Sequence, residues 1–369
     1  MDISSELVLN YLKIEGAVHA GIATLKTLAG GPPSTDLSYV MPSAKAAVVF
    51  ALPLKLDAIP VYLAKKDRIS FETDYIRKSS LGNGVAVKLA NFLAAKGHPS
   101  TPLAVNEIYR DDNPEDRKAM HPDISLRYLA AASGVGSLGF SGNLLTNDYG
   151  PAIILGGLLT EAELTPTSPL DEAENYCDYH KCLLCCGGCV SGTLHGQELV
   201  TVTMGGHSHS YGVKKGNLPC AFVCGGFTGL HPSGKFSTWS PGRFATPQTD
   251  EEVVAVAKSQ LEAYNKRPEA PGGRYHTFTD RKIYYVCSNC QFVCTPDKKE
   301  RKRRNHLVRE SGVIVQNENG TLEPVTPEEA RKRMDAMEPE RRAMYEGDIE
   351  PVPNAQEQLI QKHKFHHNL

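Results

Sequence analysis

Apolar and polar positions along the chain set out strands and helices before any chemistry is considered. Lys45-Ala-Ala-Val-Val-Phe-Ala-Leu-Pro53 is a short apolar run closed by proline and predicts a buried strand. Ala152-Ile-Ile-Leu-Gly-Gly-Leu-Leu-Thr160 predicts another. From Asp74 to Lys96 apolar residues recur at helical spacing, most clearly in Val85-Ala-Val-Lys-Leu-Ala-Asn-Phe-Leu93, and Leu126 to Ala132 reads as a second helix leading into glycines. Residues 1–30 carry a helical pattern broken at Gly30-Gly-Pro-Pro33. Helices alternating with apolar strands predict an α/β or α+β sandwich for residues 1–165.

Further along the pattern weakens. Residues 195–250 are rich in Gly, Ser, His and Pro and have no clear period, so they read as a loop-rich insertion. Asp250 to Ala263 predicts a helix with Asp250 as N-cap and Val253, Val254, Val256 and Ala257 on its buried side. Thr326-Pro327-Glu328-Glu329 is a capping box with proline at the first helical position, predicting a charged helix to about Tyr345. The last twenty residues read as a mobile tail, and its His363, Lys364, His366 and His367 as adventitious metal binders at most. The expected organisation is thus residues 1–165, then 166–310 with the insertion 195–250, then a C-terminal extension 311–369.

Composition narrows the class. At 369 residues the chain exceeds the size at which single cores stop growing. The formal net charge of −2 gives no general reason to expect nucleic acid or an anionic membrane as partner. No apolar stretch reaches the length of a membrane span, and Met1-Asp2-Ile3-Ser4-Ser5-Glu6 has no basic start, so cytoplasm is the expected compartment.

The chemistry lies in the cysteines. All ten fall between Cys177 and Cys294, as Cys177-x4-Cys182-x2-Cys185-Cys186-x2-Cys189, then Cys220-x3-Cys224, then Cys287-x2-Cys290-x3-Cys294. Disulfides need an oxidising compartment, which the N-terminus argues against. Zinc takes four ligands, commonly as paired knuckles with histidine, and these thiols are too many for one zinc. The bacterial ferredoxin run is C-x2-C-x2-C-x3-C-P, whose fourth cysteine ligates the other cluster. Cys182-x2-Cys185-x3-Cys189 and Cys287-x2-Cys290-x3-Cys294 keep the end of that spacing, which points to two 4Fe–4S clusters. Crossed ligation then predicts Cys177, Cys182, Cys185 and Cys294 on one cluster. Cys189, Cys287, Cys290 and one of Cys220 or Cys224 fall to the other. Cys186 is the expected spare in the first run, and the choice between Cys220 and Cys224 stays open.

Two other motifs invite a function. Gly134-Val-Gly136-Ser-Leu-Gly139 satisfies the dinucleotide fingerprint but follows a helix-like segment instead of a strand, so the fingerprint's mechanism has no context. A bend that lets backbone approach a bulky cofactor and a plain structural turn remain as readings. Lys298-Lys-Glu-Arg-Lys-Arg-Arg304 carries six basic residues in seven: a solvated helix face, a dock for an acidic electron donor, or a contact to RNA phosphates.

Together these residues resemble the epoxyqueuosine reductase and reductive dehalogenase superfamily. Tyr285-Val-Cys287-Ser-Asn-Cys290-Gln291-Phe-Val-Cys294 is similar to that family's second ligand run. Ala130-Ala-Ala-Ser-Gly134-Val-Gly136-Ser-Leu-Gly139, with Gly142-Asn143-Leu-Leu-Thr146 and Gly156-Gly-Leu-Leu-Thr160, is similar to its glycine loop and following strand. The chain departs from it in the four residues between Cys177 and Cys182 and around Cys220 and Cys224.

The resemblance implies an α+β fold: an α/β sandwich of corrinoid-binding type joined to a ferredoxin-like two-cluster domain. It implies a cobalamin-dependent reductase fed by reduced ferredoxin or flavodoxin; because neither His121 nor Asp123 aligns with the proton-donor aspartate that epoxyqueuosine reductases place before the glycine loop, a small molecule and not a tRNA base is the expected substrate. Gly134, Gly136, Gly139, Gly142 and Asn143 would approach the corrinoid. A side chain with pKa near neutrality would protonate the product, a role that suits His121, with Asp123 and Tyr128 as further candidates. An electron-transfer protein with the same clusters and no substrate chemistry is the alternative.

Overall fold

A computed structural model describes residues 3–104, 109–112, 121–272 and 287–347. The tail histidines and Tyr285 lie outside them. The first part runs α1 (Ser5–Ile14), β1 (His19–Thr24), α2 (Leu25–Leu28), β2 (Ala46–Pro53), α3 (Ala58–Leu63), α4 (Ile69–Ala95) and β3 (Ser100–Leu103). Then follow α5 (Leu126–Ala132), β4 (Ser137–Leu138), β5 (Leu144–Leu145) and β6 (Ile153–Thr160). Four strands form one sheet in the order β1-β2-β6-β3, every neighbour antiparallel. Helices and antiparallel sheet are thus mixed.

The period of two along β2 sorts its side chains onto two cores. Val48, Phe50 and Leu52 join Val8 and Leu12 of α1 and Val85, Leu89 and Leu93 of α4 on one face. Ala47, Val49 and Ala51 join Leu126 and Leu129 of α5 on the other. Both faces are covered, which is why β2 reads as an unbroken apolar run. Phe50 lies opposite Gly156 of β6, where an added Cβ would meet the ring at 2.4 Å, so the Gly156-Gly157 pair is a packing requirement.

The second part contains α6 (Leu184–Gly187), β7 (Leu194–Met204), β8 (His207–Lys214), α7 (Leu218–Cys224), α8 (Asp250–Asn265), α9 (Asn289–Phe292) and α10 (Lys298–Arg309). The chain then forms β9 (Val313–Gln316), β10 (Leu322–Val325), α11 (Pro327–Asp335) and α12 (Pro339–Glu346). A third core crosses the expected boundaries, packing Ile59, Tyr62 and Phe71 against Trp239, Phe292, Val308 and Ile314. Trp239 also donates its indole N–H to the Tyr62 carbonyl at 3.1 Å.

Four expectations are corrected. The insertion 195–250 starts as a β-hairpin, turning at Gly205-Gly206 with φ of 57° and 86°. Its period was masked because cross-strand neighbours are polar: Thr201 bonds Ser210 at 2.9 Å and Thr203 bonds Ser208 at 3.1 Å. In α8 the N-cap is Thr249, whose hydroxyl accepts from the Glu252 N–H, while Asp250 accepts from the Leu218 N–H at 3.1 Å. Its valines are not core either, since Val254 is 67% exposed and Tyr264 is the buried residue of that helix. The charged helix expected to reach Tyr345 is two helices, because Pro339 opens a new one. The extension also holds the β9–β10 hairpin.

Candidate iron–sulfur site

Two ligand runs share one local backbone. In Cys182-Leu183-Leu184-Cys185 and in Cys287-Ser288-Asn289-Cys290, the residue after the first cysteine is left-handed and a four-residue helix follows. Leu183 has φ 43° and Ser288 φ 47°. Non-glycine residues in this region carry strain and cluster at ligand clamps. Among the described residues the one other such position is Lys65.

The first group of thiols surrounds a pocket lined by Cys177, Cys182, Cys185 and Cys294, with Phe140, Leu145, Leu183, Val293 and Arg301. Cys177 Sγ accepts from the Phe140 N–H at 3.3 Å. Cys182 Sγ accepts from Arg301 Nη1 at 3.5 Å, and Cys294 Sγ lies 3.7 Å from the Tyr176 hydroxyl. Burial holds the Cys177 thiol above its ordinary pKa and pushes that of Cys294 up to about 11. The Cys185 thiol is also held above its ordinary pKa, first by its hydrogen bond with Cys186 and then by burial.

The second group gathers Cys189, Cys220, Cys224, Cys287 and Cys290. Burial raises the Cys290 thiol to about 12, helped by Cys220 and Cys189. Cys224 bonds both Cys220 and Cys287. Cys220 and Cys224 face each other one helical turn apart on α7, so both stand at this group. Among the described residues no three His, Cys, Asp or Glu side chains close on a point as a single bound ion requires.

The donor set fits iron–sulfur clusters. It offers thiols from distant segments, apolar walls, and N–H and guanidinium donors aimed at sulfur. Sequence reasoning missed Tyr176, Phe140 and Arg301. For Arg301 the signal was its place inside the basic run, seven residues after Cys294. That run is amphipathic: Arg301 and Arg304 are buried, whereas Lys298, Lys299, Lys302 and Arg303 are exposed.

The residues expected at a corrinoid sit differently. At Gly134 and Gly136 an added Cβ would meet the Ser168 and Leu145 carbonyl oxygens within 2.6 Å, so glycine is required there by the fold's own packing, and at Gly139 it would press on the Leu145 side chain. Gly142, at φ 72°, opens toward Lys214 and Tyr211 of β8, and its carbonyl accepts from Arg127 at 3.1 Å. Asn143 turns its side-chain amide to the Ser141 hydroxyl. The β7–β8 hairpin lies over this region: the Gly212 N–H donates to the Phe140 carbonyl at 2.8 Å, and the Tyr211 and Tyr128 hydroxyls bond at 2.7 Å. Its tip is held by the Gly205 N–H on the Ala29 carbonyl at 2.9 Å. The glycine loop therefore presents no open cradle for a macrocycle.

The three candidate proton donors have different surroundings. Burial and the Tyr211 bond raise the Tyr128 pKa further above its ordinary value. Asp123 is half-buried, which raises its pKa, and its carboxylate accepts from the Ile124 N–H at 2.7 Å. His121 is exposed, with its carbonyl taken by the Arg110 N–H at 2.9 Å.

With this geometry in hand, the chain is similar in structure to two classes of reductase. One is epoxyqueuosine reductase: a structure bound to an epoxyqueuosine-modified tRNA-Tyr stem loop matches at 16% identity and TM-score 0.40, over 96% of this chain and 78% of that one. The Bacillus subtilis epoxyqueuosine reductase matches at 17% identity and TM-score 0.40 over the same shares. The other is a catabolic reductive dehalogenase, at 13% identity and TM-score 0.45 over 93% of this chain and 37% of that one. No protein-family model and no curated protein matches the sequence. Among the described residues no helix is long and apolar enough to cross a membrane.

Proposed function

We propose that the chain is an iron–sulfur reductase that moves single electrons through two 4Fe–4S clusters. Cys177, Cys182, Cys185 and Cys294 would hold one. Cys189, Cys287, Cys290 and either Cys220 or Cys224 would hold the other. The observation that carries this reading is the gathering of Cys177, Cys182, Cys185 and Cys294 round one pocket, together with the left-handed step repeated at Leu183 and Ser288 in the two runs. Bound, each cluster would store one electron, with a potential set by charge and hydrogen bonds at its sulfurs. The chain's part is to exclude water with Leu145, Leu183 and Val293 and to aim the Phe140 N–H and Arg301 at the thiolates.

Reduced ferredoxin or flavodoxin is the donor we favour, because Lys298, Lys299, Lys302 and Arg303 are exposed on the helix that carries Arg301 and would steer an acidic partner. The cobalamin implied by the sequence resemblance does not fit the glycine loop while the hairpin covers it. That covering favours a second reading, an electron-transfer protein without substrate chemistry of its own.

Anaerobic reconstitution with iron and sulfide tests the main reading. Two cubanes correspond to about eight irons per chain, and Cys294→Ala or Cys189→Ala should each bring this to about four. Stoichiometric zinc with no iron would sink it.

A further inference from the structure

Arg301 has an unusual set of partners for a buried arginine. It is 5% exposed, and its Nε donates to the Thr295 carbonyl at 2.9 Å and its Nη2 to the Pro296 carbonyl at 3.3 Å. Nη1 donates to Cys182 Sγ, and the guanidinium stands 5.2 Å from the Tyr176 ring centroid. Among the described residues no carboxylate pairs with it. Glu300, on the same helix, is taken by Arg303 and Arg304. A buried cation needs a close counter-charge; the Asp297 carboxylate at the start of the same helix feels Arg301 but is exposed to solvent, so the close anion left for Arg301 is the sulfur side of the pocket. Protonated thiols would not supply it.

We propose that Arg301 is the fixed counter-charge of the first cluster and holds that cluster's reduction potential up. The proposal rests on the two-cluster reading above. Reduction adds one electron, from a one-electron donor, to a cluster that already carries negative charge. A guanidinium at 3.5 Å from a ligand sulfur favours the reduced form more than the oxidised one. No bond breaks, and no proton is taken up, because the arginine stays charged throughout.

The neighbouring positive groups leave this role to Arg301. Lys214 and Arg127 act on Cys220, and Lys65 on Cys287, all in the second group. Removing the Arg301 charge should therefore move one of two midpoint potentials and spare the other.

The test is an EPR-monitored redox titration of the reconstituted full chain, with iron measured on the same samples. Arg301→Met should keep its iron while one midpoint falls by 59 mV or more, a tenfold shift in a one-electron equilibrium. Arg301→Lys, which keeps the charge, should restore most of that difference. Full iron with both midpoints unchanged in Arg301→Met overturns the proposal and leaves the two-cluster reading standing. If Arg301→Met cannot hold the cluster, Arg301→Lys decides: a midpoint near the parent's supports the counter-charge, and a fall of 59 mV or more at full iron overturns it. A parent chain that takes up no iron overturns the underlying reading instead.

Discussion

Leu183 and Ser288 occupy equivalent places in two separate ligand runs, each one residue past the first cysteine and each left-handed, at φ 43° and 47°. An L-residue there costs about 1 kcal/mol, which glycine avoids. Ser288→Gly should therefore leave the metal-free chain unchanged or up to about 1 kcal/mol more stable in urea, once glycine's extra unfolded-state entropy is counted, whereas Leu183→Gly also gives up the side chain that walls the first pocket and should gain nothing. Both should keep full iron. A loss of more than about 1 kcal/mol in Ser288→Gly would mean that the side chain, not the turn, matters there.

Cys186 neighbours Cys185 but falls outside the x2 spacing, so Cys186→Ser should keep all iron. Cys220 and Cys224 lie one turn apart on α7, and one of them is surplus if four thiols hold each cluster. Of Cys220→Ser and Cys224→Ser, one should lower iron by about half and the other leave it intact. Equal losses from both would argue for a site that uses five thiols.

How much of this was legible beforehand depended on what each residue faces. β2, β6 and α5 were readable because their apolar residues meet other apolar residues at a fixed period. The thiols stood out in the sequence because cluster spacing is local chemistry. The β7–β8 hairpin was hidden because Thr201, Thr203, Ser208 and Ser210 bond each other across the strands, although Gly205-Gly206 carried a turn signal. Arg301 was hidden by its basic neighbours, since sequence does not say which arginine of a charged helix turns inward.

Lys65 offers a pH test on the metal-free, reduced chain. It is buried, its ammonium donates to the Ser311 hydroxyl, and burial lowers its pKa from 10.5 to about 7, with Cys287 acting weakly the other way. Between those values the unfolded chain holds a proton that the folded chain lacks, so stability should rise with pH from about 7. Above pH 9 the buried thiols oppose this: their folded pKa values are raised, so their contribution is lost as the unfolded thiols ionise. The comparison that isolates the lysine is Lys65→Met in urea at pH 6.5 and 8.5. The parent should gain stability over this interval and the variant should not; parallel behaviour would show that Lys65 is not the group responsible.

The hairpin decides between the two functional readings. Its base is closed by the Lys215 N–H on the Thr193 carbonyl at 2.9 Å, so residues 194–214 can be replaced by a two-residue Asn-Gly turn without pulling the flanking chain apart. The replacement removes Tyr211 from Tyr128 and Gly212 from Phe140, uncovering the glycine loop, and should cost a few kcal/mol because Met204 leaves its core. If the covered face is a cofactor site, the trimmed chain should bind hydroxocobalamin at least tenfold more tightly than the parent in an absorption titration, at unchanged iron. Equal binding by both would mean the hairpin is no obstacle. Binding by neither, with iron intact, would discard the corrinoid at this face and favour an electron-transfer protein.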